Sequence, residues 1–277
     1  MKSTLDFTTK NVARIFEEGY AILNFKNTHH IMLIQNEIKS IFELNPLELH
    51  KKTLHDDQRL NLIKQAKDSL VKTGLVKDLL FTNSDCFTKL LGSDIDMQSD
   101  IHLRVSRPDQ ENDFIDWHRD TFYGNSNWEL NFWFPVFQLE ENAGLKVVEG
   151  SHLLTSSNIR HIEEQNSFRK TVTKGSIAND LGFQYASKSE DAIDEMDQSK
   201  IKLLRPEVGQ AVLFFGHMIH RAQNFSTKTR VSIDVRVKHM LAPTSTKVGY
   251  YQPLLRSDIV RCIEKMNLIA QGELYGN

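Results

Sequence analysis

Cysteine is nearly absent from this 277-residue chain: Cys86 and Cys262 stand far apart, without the spacing of a thiolate metal site. Two such residues make no disulfide framework, and a reducing compartment is the default expectation. An excess of either charge is missing too. Lys and Arg number 34 against 36 Asp and Glu, a formal net charge of −2, so no bulk field draws the chain to nucleic acid or an anionic membrane. No apolar run approaches the length that spans a bilayer. The N-terminus, Met1-Lys2-Ser3-Thr4-Leu5-Asp6, lacks the apolar core of a signal peptide. Repeats and low-complexity tracts are lacking as well. These absences leave a cytoplasmic globular protein as the expectation, with no nucleic-acid partner and no membrane insertion. A composition 40% hydrophobic and 25% charged suits such a protein, and the length suits one large domain.

What the chain does contain is a change of periodicity. Residues 8–18 set Val12, Ile15 and Phe16 at helical spacing, with Thr8 or Thr9 as the cap and Gly19 at the end. Tyr20–Phe25 reads as a strand. From about 30 to 92, Ile31, Leu33, Ile34, Ile38, Ile41 and Phe42, then Leu60, Leu62, Ile63, Ala66, Leu70 and Leu75, predict helices. From about 98 a period of two takes over. Ile101–Val105 alternates, Trp128–Phe137, Leu145–Val148 and Gln210–Phe215 read as strands, and Val231, Ile233, Val235 and Val237 alternate again. Short strands separated by turn signals predict a β-sandwich or barrel. Residues 154–205 interrupt them as a long polar insertion containing Glu190-Asp191 and Asp194-Glu195, the kind of segment that serves as a lid or binding loop. Pro243, Gly249 and Pro253 mark a loop, and Asp258–Ala270 reads as a terminal helix. The expected organisation is one domain over 1–277: a helix-rich region 1–97, a β core 98–240 carrying the 154–205 insertion, and a loop and helix 241–277.

Within the β region stands Trp117-His118-Arg119-Asp120, followed far downstream by His220 and Arg230. Alone, an H-x-D pair is more often a surface or turn feature, and an arginine on a strand is most often solvated. Taken in this order, His118, Asp120 and His220 form the ligand set of a facial triad, two imidazoles and a carboxylate on one face of Fe(II). On a strand, His118 and Asp120 share a side while Arg119 points off the metal. His217, three residues before His220, is the competing ligand; Asn224, Ser226 and Arg230 after His220 favour the latter. Three coordination positions would stay open, enough for O₂ and for the 2-oxo and carboxylate oxygens of 2-oxoglutarate. Arg230 suits the far carboxylate of that co-substrate through paired hydrogen bonds, with Ser232 adding a hydroxyl from the same strand face. Asn131, sharing a face with Trp133, is a further co-substrate candidate. Tyr123 is the aromatic assigned to a substrate pocket, and Asp234 to pairing with a neighbouring cation.

His118-Arg119-Asp120, Asn131-Phe132-Trp133-Phe134-Pro135, Glu149-Gly150-Ser151-His152 and the His220–Arg230 segment together resemble the phytanoyl-CoA dioxygenase-like family of Fe(II)/2-oxoglutarate oxygenases. The resemblance covers roughly 98–240 and more weakly the N-terminal helices. Trp117–Gly124 with Trp128–Trp133 looks most like a branch found in bacterial carbohydrate and aminoglycoside gene clusters, streptomycin biosynthesis included. The resemblance implies a mainly β fold with flanking helices, a double-stranded β-helix (jelly-roll, cupin-like) core. It implies His118, Asp120 and His220 as catalytic iron ligands and Arg230 as the co-substrate arginine. Arg107 stands where some members carry a lysine beside the co-substrate. A proline usually precedes the Gly-Ser-His turn; here Glu149 takes its place. The intact Asp120 disfavours halogenation, for which relatives replace the carboxylate by a small residue. The implied activity is hydroxylation of a sugar, nucleotide-sugar or glycan-pathway small molecule, using Fe(II), 2-oxoglutarate and O₂. The alternatives are a cupin-like metal-dependent isomerase or epimerase without O₂, and a non-catalytic carbohydrate-binding jelly roll.

Overall fold

The computed structural model describes residues 9–110, 113, 115–123, 125–154, 160–161, 185–186, 197–243 and 249–270. Helix α1 (Thr9–Glu18) runs into strand β1 (Tyr20–Asn24) through Gly19. Gly19 has φ +92°, and a Cβ there would lie 2.5 Å from His152 Nδ1 and from Met218 Cε. Only glycine fits that combination of left-handed backbone and close approach. Helices α2 (His29–Phe42), α3 (Asp56–Thr73), α4 (Leu75–Thr82) and α5 (Asp85–Leu91) follow. Their buried positions recur at helical spacing, as with Ile31, Ile34 and Ile38.

Two antiparallel sheets then form. The larger contains β1, β2 (Ile95–Gln98), β3 (His102–Ser106), β5 (Leu130–Pro135), β10 (Gln210–Phe215), β12 (Arg230–His239) and β13 (Tyr251–Leu255). The smaller has the order β4 (Ile115–His118), β11 (His220–Asn224), β6 (Ala143–Val148), β9 (Ile201–Leu204). A separate two-stranded pairing joins β7 (Arg160–His161) to β8 (Tyr185–Ala186). Helix α6 (Asp258–Ala270) closes the described chain. The arrangement is the mainly β, helix-flanked jelly roll that the family resemblance implies, within the sandwich-or-barrel class that the alternating strands predict.

Strand β12 is the spine of the larger sheet. One edge pairs with β5, Ser232–Val237 against Pro135–Leu130. The other carries β3 beside Arg230–Asp234 and β2 beside Val237–His239. Side chains alternate across a sheet, and here the two faces divide cleanly. Val231, Ile233, Val235 and Val237 join one core with Leu103, Val105, Phe132, Phe134 and the helices. A second, smaller core between the sheets holds Trp133, Leu145, Val147, Val212, Phe214 and Met218. Arg230, Ser232, Asp234 and Arg236 turn to that inner side.

Several boundaries differ from the periodicity. Residues 95–98 form a strand ahead of the expected start of the β region, because Ile95 and Met97 complete the outer core beside Val237. The region around Pro253 is a strand rather than a loop. It lies at the sheet edge, where a proline needs no ladder partner for its missing N–H, and its register shifts after Pro253. The 154–205 insertion ends earlier than expected, since 201–204 pair with β6. Most of that insertion, the cap at Thr8 and the side chain of Tyr123 lie outside the described residues.

Candidate metal centre

His118 and His220 are direct partners across the antiparallel β4–β11 pair. Cross-strand partners bring their side chains together on one face, and the two imidazole centroids lie 4.2 Å apart. Asp120 does not continue the strand. The chain turns after His118, and Asp120 opens a single 3₁₀ turn, its N–H donating to Gly216 O at 2.8 Å. His118 and Asp120 therefore converge as expected of residues i and i+2, but through a strand followed by a turn. Asp120 Oδ1 lies 3.5 Å from His118 Nε2 and 3.9 Å from His220 Nε2. All three ligand atoms fall within 4.8 Å of one another, and all three residues are buried.

The imidazoles are oriented from behind. His118 Nδ1 meets Asp116 O at 2.6 Å and His220 Nδ1 meets Met218 O at 2.8 Å. A carbonyl only accepts, so both Nδ1 atoms carry the proton and both Nε2 atoms present a lone pair toward Asp120. This is the backing by which proteins orient metal-binding histidines. Burial, then neighbouring His118, pushes the His220 pKa down to about 3, so its imidazole is neutral and ready to ligate at ordinary pH.

Asp120 is divided between two tasks. Its Oδ1 faces the imidazoles, while Oδ2 receives Arg236 Nη2 at 2.9 Å, Arg236 Nε at 3.1 Å and the amide of Asn131. Burial works to raise the Asp120 pKa, but Arg236 and the imidazoles outweigh it and hold the carboxyl well below its usual range. Arg236 is itself braced by Gln98, His102 and Tyr250, its Nη1 donating to the Tyr250 hydroxyl at 2.7 Å. With Oδ2 so engaged, Oδ1 is the oxygen left for a cation. The donor set and its buried, pre-oriented geometry fit a divalent transition metal such as Fe(II).

Along the inner face of β12, Arg230 is 4% exposed, and its Nη1 donates to Gly144 O at 3.1 Å. Its Nε and the Ser232 hydroxyl are buried without hydrogen-bond partners among the described residues. Burial, and then Arg104 nearby, pull the Arg230 pKa down to about 10. Arg104, opposite Ser232 on β3, is depressed by burial as well. Neither arginine has an ion-pair partner among the described residues; the carboxylates whose charge reaches them are Asp113 at Arg230 and Asp234, then Asp120, at Arg104. Asp234 Oδ1 is another buried atom without a partner; burial raises its pKa, with Arg236 opposing.

The structure thus brings together His118, Asp120 and His220, with Asn131 against Asp120; Arg230 and Ser232 stand on β12 of the larger sheet, on the face from which Arg236 reaches Asp120. Asn131 donates to the carboxylate ligand, while its Oδ1 has no partner among the described residues. Arg107 follows Ser106, the cross-strand partner of Arg230, but its guanidinium is taken up by acidic side chains. Its guanidinium grips Asp113 at 2.9 and 3.0 Å, with Asp56 at 3.5 Å. His217 turns to Thr121 at 2.9 Å, and the triad takes His220. Arg119 points off the metal, to Ser151 O and His217 O. Arg236 and Arg104 were not anticipated. Their signal was legible in Arg230-Val231-Ser232-Ile233-Asp234-Val235-Arg236 and His102-Leu103-Arg104: polar residues at every second position of strands whose other face is wholly apolar.

A jelly roll with a two-histidine, one-carboxylate centre between its sheets defines the class, a non-haem metal protein of the double-stranded β-helix kind. Residues 10–232 match the phytanoyl-CoA dioxygenase (PhyH) family, and the chain belongs to that family. Among solved structures, the fold is similar to EctD from S. alaskensis, determined with 2-oxoglutarate and 5-hydroxyectoine, at TM-score 0.57 and 13% identity over 88% of this chain and 80% of that one. It is similar to EvdO2 from Micromonospora carbonacea var. aurantiaca complexed with 2-oxoglutarate, at TM-score 0.55 and 14% identity over 92% and 98%. The α-ketoglutarate-dependent epimerase SnoN from nogalamycin biosynthesis is similar at TM-score 0.51 and 14% identity over 89% and 98%. At such identities the likeness establishes the fold. No curated protein sequence matches the chain.

Proposed function

We propose that the protein is an Fe(II)- and 2-oxoglutarate-dependent oxygenase that hydroxylates a sugar, nucleotide-sugar or related small molecule, its whole chain acting as one cytoplasmic domain. The observation that supports the reading is a complete buried triad together with Arg230, a cation on β12, the strand whose Arg236 holds Asp120, with its Nε unpartnered among the described residues. A metal centre alone would serve an isomerase; a buried cation needing an anion beside it is what a dicarboxylate co-substrate supplies. Two of the similar structures are described with bound 2-oxoglutarate, and the family is one of dioxygenases.

Iron bound by the triad would supply activation of O₂ coupled to oxidation of the co-substrate. The chain's own residues do the rest. Asp120 contributes Oδ1, because Arg236 and Asn131 occupy Oδ2. Arg230 and Ser232 receive the far carboxylate of 2-oxoglutarate through charge-assisted hydrogen bonds, with Arg104 adding positive potential. The substrate is positioned in a space from which the two packed sheets exclude water. The acceptors left over, Asp234 Oδ1 and Asn131 Oδ1, favour a substrate rich in donors, as a polyhydroxylated molecule is. That agrees with the carbohydrate-cluster branch to which Trp117–Gly124 is similar.

The test is a screen of nucleotide sugars and glycan precursors for stimulated succinate formation. Wild type should respond to a hydroxyl-rich compound and Asp120→Ala should not. Turnover by Asp120→Ala at the wild-type rate would sink the assignment, and an anaerobic Fe(II) protein giving no visible charge-transfer band with 2-oxoglutarate would favour an isomerase.

A further inference from the structure

Arg119, between the two ligands of the H-x-D pair, is 3% exposed and has no carboxylate partner among the described residues. A buried guanidinium without a counter-charge is costly, and its hydrogen bonds must offset that cost. Its Nη1 donates to Ser151 O at 2.8 Å and also to His217 O. Its neighbours reach the same turn. Asp120 N donates to Gly216 O at 2.8 Å, and Thr121 Oγ1 lies 2.9 Å from His217 Nδ1. Three consecutive residues of the first ligand segment therefore hold two consecutive residues of the turn that delivers the third ligand. Ser151 completes the tie, because its Oγ accepts from Ile219 N at 2.8 Å, immediately before His220. Below that point Val148 N donates to Ile219 O at 2.9 Å.

We propose that Arg119 is a positioning residue of the metal centre, a latch that with Thr121 locks the 216–219 turn so that His220 meets His118 and Asp120 at metal-binding spacing. The inference rests on reading the triad as a metal site. It explains why a residue pointing off the metal is a buried cation: five guanidinium donors can satisfy two separate carbonyls at once. It also gives His217 a role without ligation, as the latch's receiving end.

The experiment is an anaerobic titration of Co(II), an optical stand-in for Fe(II), into wild type, Arg119→Met, Arg119→Lys, Thr121→Ala and Asp120→Ala, with melting of each apo protein alongside. Orienting contacts behind metal ligands are typically worth about 10–100-fold in metal affinity. Arg119→Met should lose an amount in that range and shift the Co(II) visible band, Arg119→Lys should recover most of it, and Thr121→Ala should lose less. A purely structural arginine predicts a lower melting temperature with wild-type Co(II) affinity and spectrum, and that result overturns the latch. Should Arg119→Met fail to fold, Thr121→Ala decides, and wild-type affinity there overturns the proposal. Failure of the underlying reading looks different: wild type would not bind Co(II), or Asp120→Ala would bind it equally well.

Discussion

On its outer face β12 presents Val231, Ile233, Val235 and Val237, each at most 1% exposed, to the helices and the flanking strands. On its inner face the same ten-residue strand presents Arg230, Ser232 and Arg236, equally withdrawn from water at no more than 5% exposed, with Asp234 between them. Burial is shared; what differs is what burial does. Apolar groups gain roughly 25 cal/mol per Å² removed from water. A buried charge or hydroxyl costs free energy unless it finds a partner, and on the inner face Arg230 Nε, Ser232 Oγ and Asp234 Oδ1 have none among the described residues. The outer face therefore stabilises the fold, and the inner face draws on that stability to keep polar groups ready for ligands.

Substitutions on the two faces should separate accordingly. The largest effect is expected at Asp120, where Asp120→Ala should abolish succinate formation and leave Arg236 buried and unpaired. Breaking a buried pair costs about 3–5 kcal/mol, so the melting temperature should fall as well. Outer-face Ile233→Ala should lose about 2–5 kcal/mol of stability in a denaturant titration, while the folded fraction binds 2-oxoglutarate as wild type does. Inner-face Arg230→Met should do the reverse. Loss of a hydrogen bond to a charged group, about 1.5–3 kcal/mol, predicts roughly 10–100-fold weaker 2-oxoglutarate binding. Its apo melting temperature should hold or rise, since an unpaired buried cation has gone; a fall comparable to that of Ile233→Ala would erase the distinction between the faces.

Acid should also reach the triad at the smaller sheet. His220 has its folded pKa depressed to about 3, against about 6.5 in an unfolded chain. Below pH 6.5 the unfolded state takes a proton that the folded imidazole refuses. Apo stability should therefore decline as pH drops from about 6.5 toward 3, by up to about 1.4 kcal/mol per unit from this group. Denaturant midpoints across that range should show the slope, and it should flatten in His220→Gln. The smallest effect is expected from Arg107→Ala. With its guanidinium already taken by the buried Asp113 carboxylate, Arg107 should change the 2-oxoglutarate constant by no more than about twofold. A large increase would instead place it in the pocket, as the family resemblance implied.

The outer face was the more legible half. Apolar residues at every second position announce a strand whether or not its partners are known, and the alternation from Val231 to Val237 did so. The triad was legible for a different reason: metal chemistry restricts ligands to few residue types, so His118, Asp120 and His220 stand out in a balanced composition. The polar alternation that contains Arg236 and Arg104 is visible, but it does not mark them as buried, because an arginine in a strand looks solvated until both faces of its sheet are known to be covered. Residues 95–98 and 251–255 were missed for a related reason. Short edge strands carry little pattern of their own and are made by the neighbours they complete.

By itself, the sequence determined the class of fold, the candidate metal ligands and the cation ten residues beyond them, because periodicity and ligand chemistry are local properties of residue type and spacing. Only the tertiary structure decided that His118 and His220 face each other across a strand pair, that Arg236 and Asn131 hold the second oxygen of Asp120, that Arg107 is tied to Asp113, and that Arg119 bridges to the turn before His220. Those are contacts between residues distant in the chain. They depend on which strands pair and in what register, and a one-residue slip would turn each of these side chains to the opposite face.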